Sequence, residues 1–331
     1  MLNKSYVEKI LSKYNIDEEI KKIICIQEQC KDNRYVGVFE IITSKHKLIC
    51  KVNDCENNST NLIEKQSQFA MMLYRNNIVT AKKYKHNNYY CTKLKIENRF
   101  YNITLEEYIG KEVENISLDM FKKFGEILGK MHTFSVNNKF KIGKSFISSD
   151  IESGEAKFAK LLNKANPIFP NNKHIKKLTI IHDNLVKELS TFWKTLPMGA
   201  VHGDLGMYNN IIETTNGLAV IDFNMASDEV LLGDVLCTIY STIHKASWQE
   251  KYKKYNQKDI LETFLSGYMK YYSLSEIESE YYPKVAALFD GLFFVKMIID
   301  IWNSGEKNKA LQMLKSCYSH FEPLNHVLTI N

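Results

Sequence analysis

Residues 201–223 bring together acid and amide side chains of the types that hold metal ions and orient hydroxyl groups. The segment reads Val-His-Gly-Asp-Leu-Gly-Met-Tyr-Asn-Asn-Ile-Ile-Glu-Thr-Thr-Asn-Gly-Leu-Ala-Val-Ile-Asp-Phe. Two β-prone runs flank the turn at 214–217, and Asn-Gly between apolar runs is a strong signal for a β-hairpin. Either register that we considered for this hairpin returns Asp222 to the mouth of the loop that holds Asp204 and Asn209.

These side chains predict a phosphoryl-transfer site. The oxygens of Asp204, Asn209 and Asp222 are hard ligands, which suit a Mg²⁺ ion that also keeps waters and phosphate oxygens. In kinases, one Asp orients the acceptor hydroxyl while an Asn and a second Asp hold the metal. We therefore expect Asp204 to be the catalytic residue and Asn209 and Asp222 to be the Mg²⁺ ligands. The alternatives are a coincidental hairpin with surface carboxylates and an inactive relative of such enzymes.

The spacing of apolar residues predicts a strand-rich first third and a helical remainder. The first third has an amphipathic helix at 5–22, strands at 23–28, 35–43 and 47–52, a helix at 60–76, and strands at 89–94 and 99–104. The later helices are expected at 118–134, 152–164, 175–196, 233–246, 256–272, 275–302 with an interruption at Pro283, and 305–320. This order indicates an α+β protein with two lobes and a ligand site in the cleft between them.

The motif pair VHGDLGMYNN and LAVIDF resembles that of the aminoglycoside phosphotransferase, choline kinase and homoserine kinase-like superfamily. Further stretches agree in order: NRYVGVFEI and KLICKV resemble the nucleotide-binding strands, LEEYIGKE the hinge, and FGEILGKMH the first C-lobe helix. The resemblance implies a protein kinase-like two-lobe fold. Its N-lobe, residues 1–107, would be a small antiparallel β-sheet with one helix, and its C-lobe, residues 108–331, would be mostly helical and would hold the catalytic loop, the metal-binding hairpin and the acceptor.

The same resemblance assigns Lys51 to the phosphates of ATP. A lysine inside the apolar run Leu-Ile-Cys-Lys-Val would need a buried anion, which the phosphates supply; the alternative is an edge-strand lysine that reaches water. Glu64 is the expected carboxylate partner of Lys51 on the 60–76 helix. The alignment also allows that position to fall on Lys65 or Gln66.

Four other residues are expected to contact the nucleotide. The phosphate loop at 31–35 lacks the GxGxxG pattern, so backbone N–H groups, with Asn33 and Arg34, would replace a glycine cradle. A plain turn is the alternative there. Glu107 and Ile109 lie in the hinge segment. ATP and Mg²⁺ are thus the expected cofactors.

The sequence around Asp204 favours a small-molecule acceptor over a protein. Protein kinases have Arg before this Asp and usually Lys two residues after it, whereas this chain has Gly203 and Gly206. Asp222 and Asp234 lie 12 positions apart, which leaves no room for an activation loop. We expect phosphorylation of a hydroxyl group on an amino alcohol, a sugar or an aminoglycoside-like compound. A protein Ser/Thr kinase-like enzyme and a nucleotide-binding pseudokinase or scaffold are the alternatives.

Three acids favour a cationic acceptor. Asp228 and Glu229 follow the metal-binding strand, and Asp290 shares an apolar helix face with aromatic and aliphatic residues. A buried carboxylate requires a partner of opposite charge or hydrogen bonds. Pairing of Asp290 with a nearby lysine or a helix end is the alternative.

Composition excludes several other classes. The net charge is +6, from 44 Lys and Arg against 38 Asp and Glu, and the lysines are interleaved with acids, so nucleic-acid binding is not expected. No uncharged apolar run reaches the roughly 18 residues of a membrane span. The N-terminus lacks the apolar core of a secretory signal. The seven cysteines form no CxxC pair and fit a reducing compartment. A cytoplasmic monomer or homodimer is expected.

Overall fold

The computed structural model describes residues 2–31, 34–55, 59–114, 116–153, 165, 168–169, 172–206, 210–246 and 255–327. The chain divides into two compact units. The first comprises Met1–Glu112 and Ile212–Ala226, and the second comprises Val113–Ile211 and Ser227–Asn331. The first unit is built around an antiparallel sheet and the second is mostly helical, so the predicted α+β class is confirmed.

Five antiparallel strands form the main sheet of the first unit: β1 Ile20–Lys31, β2 Arg34–Thr43, β3 Lys47–Asp54, β4 Cys91–Ile96 and β5 Arg99–Glu107. Their order in the sheet is β1-β2-β3-β5-β4. The strands predicted at 23–28, 35–43 and 47–52 correspond to β1, β2 and β3, and β1 is longer than expected.

The N-terminal helix α1, Lys4–Lys13, is shorter than the predicted helix at 5–22. Asn15 adopts a left-handed conformation with φ 57°, and the N–H of Ile16 bonds to the carbonyl of Leu11 at 2.9 Å. Such a turn satisfies the last helical carbonyls and ends the helix. The buried face of α1 forms one core with the sheet. Helix α1 contributes Val7, Ile10 and Leu11, and the sheet contributes Phe39, Ile41, Leu48, Cys50, Val52, Ile103 and Leu105.

The first unit also contains helix α2, Thr60–Arg75, and a small second sheet. Five short strands follow the main sheet: β6 Lys111–Glu112, β7 Met198–Val201, β8 Ile211–Thr214, β9 Gly217–Val220 and β10 Ser227–Val230. Strand β7 pairs with β10.

Strands β6, β8 and β9 form the second sheet of the first unit, with Glu112 opposite Ile212. A Cβ at Gly110 would collide with the carbonyl of Glu213, so only glycine allows this approach. Because of this pairing, the hairpin groups with the first unit and does not follow the predicted division at residue 107.

The second unit contains seven of the described helices. The helix Glu276–Asn303, α8, is continuous through Pro283, where an interruption was expected. The predicted helix at 152–164 lies mostly outside the described residues. None of the helices that the structure describes is long and apolar enough to cross a membrane. The bounds are α3 Leu118–Asn138, α4 Ile147–Glu152, α5 Lys173–Phe192, α6 Leu231–Ala246, α7 Gln257–Met269, α8 Glu276–Asn303 and α9 Lys307–His320.

Candidate active site

Lys51 lies in the middle of β3 and projects away from the α1 core. Its neighbour Cys50 belongs to that core, and side chains alternate between the two faces of a strand. Lys51 is opposite Thr104 of β5, which makes Glu106 its diagonal neighbour on the same face. The ammonium Nζ lies 3.1 Å from Oε1 of Glu106 and 3.0 Å from Oδ1 of Asp222. Lys51 therefore sits between two carboxylates of the first unit.

A second lysine completes this group. Lys83 pairs with the other carboxylate oxygen of Glu106, and the side chains of Lys51, Lys83 and Glu106 are each at most 7% exposed. Burial alone would lower the pKa of Lys51, but Asp222 and Glu106 outweigh it and raise that pKa. Burial would likewise raise the pKa of Glu106, but Lys51 and Lys83 lower it. We call Lys51, Lys83, Glu106 and Asp222 the lysine cluster; its carboxylates keep Lys51 charged although the Lys51 side chain is buried.

Glu64 does not have the role that the sequence predicted. Among the described residues, the carboxylates within ion-pair distance of Lys51 are those of Glu106 and Asp222. The Glu64 carboxylate instead accepts hydrogen bonds from the backbone N–H groups of Tyr90 and Cys91, at 2.8 and 2.9 Å. It thus anchors α2 to the start of β4. The prediction of a Lys51–Glu64 pair is wrong because β5 brings Glu106 closer to Lys51.

Asp222 follows β9 in a conformation that is unusual for a residue other than glycine, with φ 64° and ψ 66°. Its side chain is 43% exposed even though its partner Lys51 is buried. The segment beyond Asp222 is anchored by Gln66 of α2, whose amide nitrogen donates to the carbonyls of Asn224 and Ala226 at 2.8 and 3.0 Å. Gln66, one of the alternatives weighed for the partner of Lys51, therefore positions the Asp222 segment.

Asp204 lies in the second unit, in the loop after β7. Strand β7 pairs with β10, and His202, which follows it, is fully buried. The side chain of Asp204 is exposed. The side-chain amide of Asn210 donates to the carbonyl of Asp204, and the Asn210 N–H bonds to the carbonyl of Gly206 at 3.1 Å. Asn209 lies outside the described residues, whereas Asn210 supports the backbone of the loop.

Of the other four residues predicted to contact the nucleotide, the structure describes Arg34, Glu107 and Ile109. Asn33 lies outside the described residues, and Arg34 begins β2 opposite Lys31. The N–H of Glu107 donates to the carbonyl of Lys82 at 2.9 Å. Ile109 is half-buried in the connection between β5 and β6. The hinge segment is therefore tied to the first unit through its backbone.

Two of the acids predicted to bind an acceptor are engaged within the second unit. The carboxylate of Asp228 accepts from the N–H groups of Ile142 and Gly143, at 3.0 and 2.8 Å. Glu229 is 1% exposed, and its carboxylate accepts from the first N–H groups of α4 and the residues before it: Phe146, Ile147 and Ser148. These two carboxylates hold loops and a helix end, so their geometry does not support the predicted contact with an acceptor.

Asp290 is also engaged, by partners that the sequence did not predict. Oδ1 lies 2.5 Å from Nε2 of His244, and Oδ2 lies 2.7 Å from Nδ1 of His320. The expected alternatives were a lysine or a helix end. Both imidazoles come from other helices, so the local sequence around Asp290 carries no sign of them.

Sequence reasoning missed three residues that support the site: Glu106, Lys83 and Asn210. Glu106 was interpreted only as part of the hinge segment, because the predicted strand ended at Thr104 and the pairing of β5 with the lysine strand is set by tertiary structure. Asn210 directly follows the expected metal ligand, and the loop motif does not separate two adjacent asparagines by role.

Comparison with known proteins identifies the family. The model of the phosphotransferase enzyme family matches residues 95–286, more than half of the chain. The chain belongs to this family. Membership confirms the predicted superfamily and, at the level of the family, the prediction of a phosphotransferase. A search of curated proteins finds no significant sequence match.

Several solved structures share the fold across nearly the whole chain. An amicoumacin kinase in complex with AMP-PNP and Ca²⁺ is 13% identical with a TM-score of 0.64, covering 98% of this chain and 95% of its own. A spectinomycin phosphotransferase in complex with ADP and spectinomycin is 15% identical with a TM-score of 0.57, covering 98% and 99%. A choline kinase from Streptococcus pneumoniae is 18% identical with a TM-score of 0.51, covering 94% and 99%. These likenesses confirm the protein kinase-like fold.

Proposed function

We propose that this phosphotransferase moves the γ-phosphoryl group of ATP to a hydroxyl group of a small molecule in a Mg²⁺-dependent reaction. The observation that carries the proposal is the lysine cluster. It places a charged lysine and an exposed carboxylate side by side, as a site for a metal-bound triphosphate requires.

Lys51 is the residue proposed to bind the phosphates. Its ammonium is anchored by Glu106, which is buried beside it, while its other partner, Asp222, is partly exposed. A lysine held in this way retains its charge when water is excluded, and its interaction with a phosphate is strong because the surroundings are of low polarity. Glu106 would keep Lys51 in place with Asp222 as a metal ligand.

The carboxylate oxygens of Asp222 suit a magnesium ion. A carboxylate with substantial exposure at the end of a strand provides hard oxygen ligands and leaves room for the waters that Mg²⁺ keeps. Asn209 is proposed as the second ligand on the strength of the motif. When bound, Mg²⁺ would neutralise charge on the phosphate oxygens.

Asp204 is proposed to orient the acceptor hydroxyl and to take its proton. Its carboxylate is exposed, and Asn210 holds the loop backbone from the inside. A base in this role must come within roughly 2.6–3.2 Å of the hydroxyl in the reactive complex, directly or through one water.

The structural neighbours indicate which acceptors to test. They are described as kinases or phosphotransferases of amicoumacin, spectinomycin and choline, and two were solved with AMP-PNP or ADP. For this chain we propose a hydroxyl-bearing compound of comparable size. That the acceptor is cationic stays a prediction, as does a cytoplasmic monomer or homodimer.

The test is an ATP-consumption assay with Mg²⁺ across amino alcohols, sugars and aminocyclitol antibiotics, with phosphorylated product identified by mass spectrometry. Asp204→Asn should lower turnover by ~10²–10⁴ and leave nucleotide affinity nearly unchanged. Asp183→Asn, at an exposed aspartate of α5, is the matched control and should retain full activity. An unaffected Asp204→Asn enzyme, or turnover that persists in excess chelator, would refute the assignment.

A further inference from the structure

Three helices of the second unit bring a carboxylate and two imidazoles together. Asp290 of α8 accepts from His244 Nε2 of α6 at 2.5 Å and from His320 Nδ1 at the end of α9 at 2.7 Å. We call His244, Asp290 and His320 the histidine cluster. One ligand atom from each of the three lies within 4.8 Å of the others.

The charge balance of this cluster favours a cation. Asp290 is only 6% exposed, and among the described residues the basic side chains within 4.0 Å of its carboxylate are all histidines. Neutral imidazoles would leave a net negative charge in the helical core. A buried charge is costly unless it is paired or binds a metal.

We propose that His244, Asp290 and His320 form a binding site for a borderline divalent transition-metal ion, with Zn²⁺ as the representative. Two imidazole nitrogens and one carboxylate oxygen are a ligand set that such ions prefer, and three protein ligands leave a position for water. Magnesium favours all-oxygen ligands, so this site is chemically distinct from that of Asp222.

His326 is placed to support the site without ligating the ion. The hydroxyl of Tyr240 donates to its Nδ1 at 3.0 Å, and its Nε2 donates to the carbonyl of His320 at 3.1 Å. Both ring nitrogens are thus engaged, and the second bond fixes the backbone of a ligand. Partners of this kind orient metal ligands and affect affinity.

Ion binding would replace the hydrogen bonds of Asp290 with bonds to the ion, and it would separate His244 Nε2 from Asp290 Oδ1, which lie 2.5 Å apart. The ring protons that His244 and His320 now donate to Asp290 would move to the other ring nitrogen or to solvent, which frees one lone pair on each ring. A cavity of about 430 Å³ borders the cluster, and its wall includes Asp290, Tyr240, Tyr282 and His326. This cavity gives water and ions a route to the carboxylate.

Zinc binding to chain freed of metal by a chelator tests the proposal. Titration against a chromophoric chelator should show one site per chain with a dissociation constant below about 1 μM. His320→Gln should weaken this binding at least roughly 100-fold. His174→Gln is the matched control. His174 is a partly buried histidine of α5, and its ring contacts the hydroxyl of Tyr318, which lies on α9 as His320 does. It should bind zinc like the unaltered chain.

X-ray absorption of the unaltered chain loaded with one Zn²⁺ keeps the test independent of variant folding. It should show only nitrogen and oxygen neighbours at about 2.0–2.1 Å, with the scattering of two imidazoles. One bound zinc should also raise the melting temperature by at least roughly 3 °C, since it joins three helices. Sulfur neighbours at about 2.3 Å, an unchanged affinity in His320→Gln, or no binding would each overturn the proposal.

Discussion

The lysine cluster and the histidine cluster share one geometry and differ in chemistry. In each, a buried carboxylate bridges two nitrogen-bearing side chains from other elements: Glu106 between Lys51 and Lys83, and Asp290 between His244 and His320. An ammonium keeps its charge throughout the physiological pH range and has no lone pair to offer while charged. An imidazole can be neutral, can be charged, or can ligate a metal. The lysine cluster therefore suits the binding of phosphate by a charge that does not change with pH. The histidine cluster suits a site whose charge and ligands can change.

The two clusters also differ in how the fold assembles them. Lys51 and Glu106 meet because of the antiparallel register of β3 and β5, in which Lys51 is opposite Thr104. The histidine cluster depends on how three helices pack, since its ligands come from α6, α8 and α9. Loss of the carboxylate should therefore have different consequences in the two places.

The largest expected effect on stability is from Glu106→Gln. The change leaves Lys51 and Lys83 buried and close together without their shared carboxylate, and removal of one partner of a buried pair costs about 3–5 kcal/mol. Urea unfolding should report this loss in free energy of unfolding. Glu107→Gln is the control, because the neighbouring carboxylate is 34% exposed and its pair with Lys82 spans 3.6 Å; it should cost under about 1 kcal/mol. Equal losses in the two variants would mean that the lysine cluster is not a coupled unit.

Lys51→Met should lower turnover by ~10²–10³, the size of effect seen when one electrostatic contact to the reacting group is removed. Weaker binding of ATP should accompany this loss, measured by fluorescence titration with a nucleotide analogue. Lys93→Met on the exposed side of β4 serves as control and should leave both quantities unchanged. If Lys51→Met binds and turns over ATP normally, the lysine cluster is structural and its contrast with the histidine cluster loses its functional meaning.

The sequence was sufficient for features set by local pattern. The hairpin of β8 and β9, the lysine strand and most helices follow from turn residues and apolar spacing. The order of the predicted elements indicated the α+β class, and the resemblance implied the protein kinase-like fold and the family. The end of α1 at Lys13 was missed because Asn15 can adopt a left-handed conformation that apolar spacing does not reveal.

Partners set by tertiary packing were not predictable. Glu106 and Glu64 are both acids of the first unit, and the register of β5 against β3 is what places Glu106 beside Lys51. His244 and His320 lie 46 and 30 positions from Asp290, on helices whose packing no local pattern specifies. The short strands β7 and β10 were likewise missed, since each has only four residues.

Asp290→Asn should have an intermediate effect that depends on pH. Burial alone would raise the pKa of Asp290, but hydrogen bonds from His244 and His320 lower it from 3.8 to about 2. An acid whose pKa is lowered by folding stabilises the folded chain at pH values above its ordinary pKa, here by roughly 2 kcal/mol. This stabilisation is lost as the pH falls from about 4 to about 2. The difference in unfolding free energy between the unaltered chain and the variant should shrink below pH 4. Between pH 7 and 5 this difference also includes the effect of the Asp290 charge on the pKa of His326, so the decrease below pH 4 is the part that reports Asp290 itself. Asp300→Asn, an exposed position on α8, should show no such difference at any pH.

The smallest expected effect is from His326→Gln, which tests whether the histidine next to the histidine cluster responds to pH in a range where the lysine cluster does not. Burial lowers the pKa of His326, and the charge of Asp290 only partly opposes this. A base with a lowered pKa resists protonation in the folded chain, so its contribution to stability is complete above about pH 6.5 and declines as pH falls below that value. Unfolding free energies measured at pH 7.5 and 5.5 should therefore drop less in His326→Gln than in the unaltered chain, by a fraction of about 1 kcal/mol. His46→Gln, whose ring lies on the surface beside Glu18, provides the comparison at an exposed histidine. If the unfolding free energy of His326→Gln decreases between pH 7.5 and 5.5 as much as that of the unaltered chain, His326 has the same pKa in the folded and unfolded states. The contrast between the two clusters would then depend on metal binding alone.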